Sequence, residues 1–108
     1  MLYRVLGNLS AFRSHFKLVK LNLKHCNKIT GTLEPLSSCS QLEHLNIREC
    51  WWLEGTCDPL LQCPNLQSLN VQGCAKLEEI QTFAEKQERI NVTFDIPKEI
   101  SFNRYASM

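Results

Sequence analysis

Three phrases of this chain begin at equal intervals, at Leu18, Leu42 and Leu66, which sets a sequence period of 24. They read LVKLNLKHCNKI, LEHLNIRECWWL and LQSLNVQGCAKL. Each has apolar residues at phrase positions 1, 4, 6 and 12, Asn at position 5 and Cys at position 9. A unit this short cannot bury an apolar face alone. Repeated at a fixed period, neighbouring units stack and share a continuous core. The period therefore constrains the fold more tightly than any local propensity. It predicts an α/β solenoid, with a short parallel sheet on the concave side and helices on the convex side. Such a scaffold offers an extended curved surface, so the expected role is binding and not catalysis.

Within each phrase, alternation puts Leu21 and Leu23, Leu45 and Ile47, and Leu69 and Val71 on one face of a strand. At position 9 the chain leaves the strand. A small side chain able to donate weakly to neighbouring carbonyls suits that site, and Cys fills it each time. Ile29, Leu53 and Leu77 then turn back into the core. The rest of the unit reads as a short helix. In TLEPLSSCSQ and TCDPLLQCPN, an acid followed by Pro (Glu34-Pro35, Asp58-Pro59) marks the start. The third such stretch, EIQTFAEKQER, lacks Pro and is more clearly helical. A shift by one period also aligns Val5 with Ile29, Leu9 with Leu33 and Phe12 with Leu36. The expected organisation is a partial repeat acting as a cap over 1–17, three repeats over 18–89, and a terminal strand with a tail over 90–108. Alternation at Ile90, Val92, Phe94 and Ile96 marks the strand, and Pro97 its stop.

Six cysteines in 108 residues could signal a disulfide framework or a metal site. Their columns argue otherwise. Cys26, Cys50 and Cys74 share one repeat position, Cys39 and Cys63 another, and only Cys57 stands outside both. Periodic inward Cys behaves as a small buried hydrophobe, which implies free thiols and a reducing compartment. The Cys57–Cys63 spacing does not fit zinc, and columns running along a stack cannot converge on one ion. No metal and no cofactor is expected. A nucleophilic Cys beside His25 or His44 would need an exposed, activated thiolate. No apolar run approaches the roughly 20 residues of a membrane span. Cytoplasm or nucleus follows. The opening MLYRVLGNLSAFRSHF, with Arg and Ser and no acid, also resembles a mitochondrial transit peptide, so the mitochondrion stays as an alternative.

The pattern C-x-x-L-x-x-L-x-L-x-x-C runs from Cys39 to Cys50 and again from Cys63 to Cys74. With Ile29-Thr30, it resembles the cysteine-containing leucine-rich repeats of F-box substrate-recognition proteins and related intracellular adaptors. The likeness covers residues 2–96. Plant disease-resistance repeats, which share L-x-L-x-x-C, are a rival likeness. The resemblance implies a protein–protein interaction module, a structural or adaptor subunit of a larger complex. The alternative it implies is the substrate-recognition part of a ubiquitin ligase. No F-box precedes the repeats in this sequence, so the second reading requires a fragment or a repurposed relative.

The outward positions between the leucines supply the candidate surface. Lys20, Lys24, His25, His44 and Arg48 form a basic cluster suited to an acidic partner. The Asn22, Asn46 and Asn70 column reads as an amide ladder between adjacent strands. Arg4, Arg13, Lys17, Lys20, Lys24 and Lys28 all precede the first acid, Glu34. That asymmetry keeps open a nucleic-acid-facing subunit of a ribonucleoprotein or mitochondrial assembly. The sharpest irregularity is Trp51-Trp52, where the other repeats carry Asn27-Lys28 and Ala75-Lys76. The scaffold does not need large apolar groups there, and Trp is enriched among residues that dominate interfaces. Asn91-Val92-Thr93 is a glycosylation triplet of a kind common by chance.

Overall fold

The computed structural model describes residues 7–95. Within them lie a four-stranded parallel sheet and a series of short helical segments. The sheet consists of β1 (Lys20–Asn22), β2 (His44–Asn46), β4 (Ser68–Asn70) and β6 (Asn91–Thr93), in that spatial order. Lys20 pairs with His44 and His44 with Ser68, so the sheet register is the sequence period. The last step is different: Ser68 pairs with Asn91, one position short of the period. A smaller parallel pair joins β3 (Gly55–Thr56) to β5 (Leu77–Glu78), and Gly31 bridges to Leu53 in the same sense. No helix among the described residues is long and apolar enough to cross a membrane.

The strands are three residues long because each phrase contains its own terminator. Asn22, Asn46 and Asn70 each use Oδ1 to accept the backbone N–H two residues on, from Lys24, Arg48 and Gln72 at 3.0 Å. This is a local turn made by the side chain, and it replaces the expected inter-strand amide ladder. The next residue takes left-handed backbone: φ is 66° at His25, 62° at Glu49 and 76° at Gly73. A second left-handed column follows at Gly31, Gly55 and Glu79. The periodic glycines were visible in the sequence as a signal for it.

Gly73 is constrained twice. A Cβ there would lie 2.8 Å from Cγ of Glu49, whereas at Gly31 the nearest atom would be 3.6 Å away. Gly31→Ala should therefore cost only the left-handed backbone term, about 1–2 kcal/mol. Gly73→Ala should cost more, by whatever it takes to move Glu49. Urea denaturation of the two variants measures the difference, and equal losses would show that Glu49 gives way freely.

The expected helices of the first two repeats are 3-10 segments, Glu34–Ser38 and Asp58–Gln62, preceded by a matching one at Ser10–Ser14. Their bonds close over three residues: Leu36 N–H to Leu33 O and Cys39 N–H to Leu36 O, with Leu60 and Cys63 doing the same one repeat later. Pro35 and Pro59 lie in the first turn and bring no N–H. The 3-10 winding also rises farther per residue, so it bridges to the next strand within a short repeat. The third repeat has no such Pro and forms α1 (Ile80–Lys86), where Phe83 N–H reaches Glu79 O.

Between the sheet and the helical segments lies one continuous core. Leu21, Leu45 and Leu69 are stacked in register, with Leu23, Ile47 and Val71 beside them. Ile29, Leu53 and Leu77 close the layer, and Leu36, Leu60 and Phe83 seal it from the helical side. Leu9 and Phe12 take the places of Leu33 and Leu36 at the N-terminal end, as the shifted alignment predicts. Val5, Ile96 and the tail after it lie outside the described residues.

The cysteine columns have a specific job in this core. Cys50 Sγ–H donates to Leu23 O at 3.1 Å and Cys74 Sγ–H to Ile47 O at 2.9 Å. Cys39 reaches Phe12 O and Cys63 reaches Leu36 O, at 3.5 and 3.4 Å. All four bonds span 27 positions of sequence, from one repeat into the one before. Each accepting carbonyl already takes a backbone N–H from its own repeat. The thiol meets the carbonyl's second lone pair without adding bulk.

Candidate partner-binding surface

The register brings four of the basic candidates together. Lys20 and His44 sit side by side on β1 and β2, and Lys24 and Arg48 follow them one turn on. The row continues through Ser68 to Asn91 on β4 and β6. These strand residues and the Asn column line a shallow polar groove across the sheet. His44 Nδ1 and Ser68 Oγ share a 2.7 Å hydrogen bond across two strands.

The surface around the groove is less basic than the sequence suggests, because two acids share it. Glu49 Oε1 lies 2.6 Å from His25 Nδ1, and Glu49 Oε2 lies 3.7 Å from Arg48 Nε. That Nε is buried and has no hydrogen-bond partner among the described residues. Glu43 Oε1 stands 4.0 Å from His44 Nε2. His25 lies in the left-handed turn beyond the strand, so it faces its neighbour in the turn column and not the sheet. Glu43 and Glu49 stand in the sequence at positions 2 and 8, and a count of cations alone leaves them out. Exposed pairs of this kind contribute at most about 1 kcal/mol each. Their role is to leave Lys20 and Lys24, at the β1 edge, as the cations without an acid facing them in the row among the described residues.

Trp51 and Trp52 are 48% and 50% exposed. They follow the left-handed turn at Glu49, and neither borders the polar groove. The Lys76 ammonium sits 5.3 Å from the centre of the Trp52 ring. Trp52 and Lys76 hold the same repeat position, with Lys28 one repeat earlier. An exposed cation–π contact of this sort contributes about 0.5–1 kcal/mol, so it orients the indole without burying it.

Five of the six thiols are buried, and Cys26 is half-buried. Burial pushes Cys50 and Cys57 up to about 12, with the neighbouring Cys74 adding to the shift, and pushes Cys63 and Cys74 up to about 11. An activated nucleophile or metal ligand needs the opposite shift. All six cysteines are unbridged, and no three His, Cys, Asp or Glu among the described residues gather as metal ligands would.

Compared with protein-family models, with curated proteins and with solved structures, the chain matches none.

Proposed function

We propose that this chain is a non-enzymatic protein-interaction module built as a leucine-rich-repeat solenoid. The polar sheet would be its concave face and Trp51-Trp52 its principal contact with a partner. One observation carries the reading. Two adjacent indoles stand half exposed at positions where sibling repeats fold with Asn27-Lys28 and Ala75-Lys76. A large apolar group that the fold does not need, held on a rigid scaffold and ringed by polar residues, is the usual composition of an interface hot spot. The groove beside Lys20, Lys24, His44 and Arg48 would set the polarity of the partner, favouring acidic segments.

The test is a comparison of wild type with the double variant Trp51→Ala, Trp52→Ala, both used to capture partners from native extract with quantitative mass spectrometry. Loss of two hot-spot indoles should weaken capture by about 30-fold or more, the equivalent of ~2 kcal/mol. The thermal midpoint should move by no more than about 4 °C, because only the Lys76 contact is lost. An unchanged set of captured proteins, or a midpoint that collapses, would remove the Trp pair from function and return it to structure.

A further inference from the structure

β1 and β6 are the two outer strands of the four-stranded parallel sheet, and among the described residues each has one edge without a neighbouring strand. In a parallel sheet, two such edges can complete each other's ladder. We propose that they associate: the C-terminal face of one copy takes the N-terminal face of a second, head to tail.

The backbone supports this in detail. On β2, Glu43 N–H and His44 N–H donate to Val19 O, and Asn46 O accepts Leu23 N–H. The counterparts on β1 are Val19 N–H, Lys20 N–H and Asn22 O. Since β1 pairs only with β2, nothing among the described residues meets them. At the other edge, β4 uses Gln67 O to accept Asn91 N–H and Val71 N–H to donate to Thr93 O. Their counterparts flanking β6 are Ile90 O and Phe94 N–H, which no strand among the described residues meets. In continuous register, Ile90 O of one copy accepts Lys20 N–H of the second, and Phe94 N–H donates to Asn22 O of the second. Both edges have the same strand sense, so the parallel ladder runs on without reversal.

Side chains agree with the ladder. The junction places Asp95 of one copy beside Lys24 of the second, within a row that reads Lys24, Arg48, Gln72, Asp95 along the sheet; Asp95 Oδ2 accepts Gly73 N–H of its own copy at 2.8 Å, which leaves Oδ1 for the lysine. Residues 7–33 contain five cations and no acid. Residues 77–95 contain five acids, Glu78, Glu79, Glu85, Glu88 and Asp95, against two cations, Lys86 and Arg89. The C-terminal face also opens into an apolar cleft lined by Val71, Cys74, Leu77, Ile80 and Phe94. At the opposite end, Phe16 and Val19 are exposed where sibling repeats have Ser40 and Pro64, and Glu43 and Gln67. β6 itself, Asn-Val-Thr, is uncharged, and the charges that would meet at the junction lie just beyond the strands, at Asp95 and Lys24. A contact between two different faces does not close on itself at two copies, so the assembly is an open series or a ring.

Sedimentation velocity of the full 108-residue chain at low salt, over micromolar to millimolar concentration, reads the outcome. Wild type should form a concentration-dependent series beyond the dimer, weakened at least tenfold by 0.5 M salt. Two variants then block one face each. Phe16→Glu with Val19→Glu changes exposed residues at the N-terminal face. Asn91→Lys with Thr93→Lys sets cations on β6 against Lys20. Each variant alone should be monomeric, and an equimolar mixture should give a dimer and nothing larger. Wild type that stays monomeric at millimolar concentration overturns the proposal, including the case in which residues 96–108 occupy the C-terminal face. Either variant that still self-associates overturns it too, because the contact would then be between identical faces. The Trp51, Trp52 variant should associate as wild type does, which separates failure here from failure of the proposed interaction surface.

Discussion

Folding stability should fall steeply between about pH 9 and 11. The cause is the buried thiols. In the unfolded chain a thiol ionises near about 8.5. In the folded chain Cys50 and Cys57 hold their protons up to about 12, and Cys63 and Cys74 up to about 11. Their folded-state values are raised, so the stabilisation is fully present below the unfolded value and is lost as pH climbs toward the folded one. Above pH 9 the unfolded state releases protons that the folded state keeps, and each thiol removes up to about 1.4 kcal/mol per pH unit. Four of them approach ~5 kcal/mol per unit, against a total of roughly 5–15 kcal/mol for an ordinary domain. Urea titrations at pH 7, 9 and 10.5 would show the fall. Replacing Cys50 and Cys57 by Ala should lower stability at pH 7 yet about halve the alkaline slope. A slope unchanged in that variant would move the effect to other groups.

Leu45→Ala should be the most damaging single truncation on the sheet. Leu45 is 2% exposed and lies in register between Leu21 and Leu69, with packed layers on both sides. Neighbours held on two sides cannot relax into the space, so the loss should be about 3–5 kcal/mol. Val92 on β6 occupies the equivalent site in the last layer and is only partly buried. Val92→Ala should cost about 1 kcal/mol. Denaturant unfolding of the pair checks the contrast, and similar losses would mean that the end layer is as tightly packed as the middle.

The inward half of this architecture was legible in the sequence, because burial writes itself as period. The leucine columns, the cysteine columns and the alignment of Leu9 and Phe12 with Leu33 and Leu36 all follow from counting by the period. What counting could not reach was backbone shape. The 3-10 winding depends on how few residues must bridge two strands, and apolar spacing over so short a segment does not separate it from α. The periodicity of the Asn column is consistent with both a cross-strand ladder and a turn within each repeat. Only the distances from Oδ1 to the N–H two residues on decide for the turn. On the candidate surface, exposure of Trp51 and Trp52 was legible from their departure from the repeat. The Glu49 contacts with His25 and Arg48 were not, since they join neighbours in space whose charges the sequence offers only as a list.

The thiol-to-carbonyl bonds between successive repeats have a consequence for how this chain can change in length. They hold each repeat to a fixed phase with the one before. Adding or deleting one residue between Cys50 and Cys74 would unseat a sulfur from its carbonyl and slide every leucine behind it off its layer. Whole repeats can be added or lost without that penalty. Within the four-stranded sheet the register leaves the period at the pairing of Ser68 with Asn91, and Asn91 lies beyond Cys74, the last sulfur in the column. Past that last sulfur no thiol bond fixes the phase among the described residues, and the sheet register shifts there by one residue.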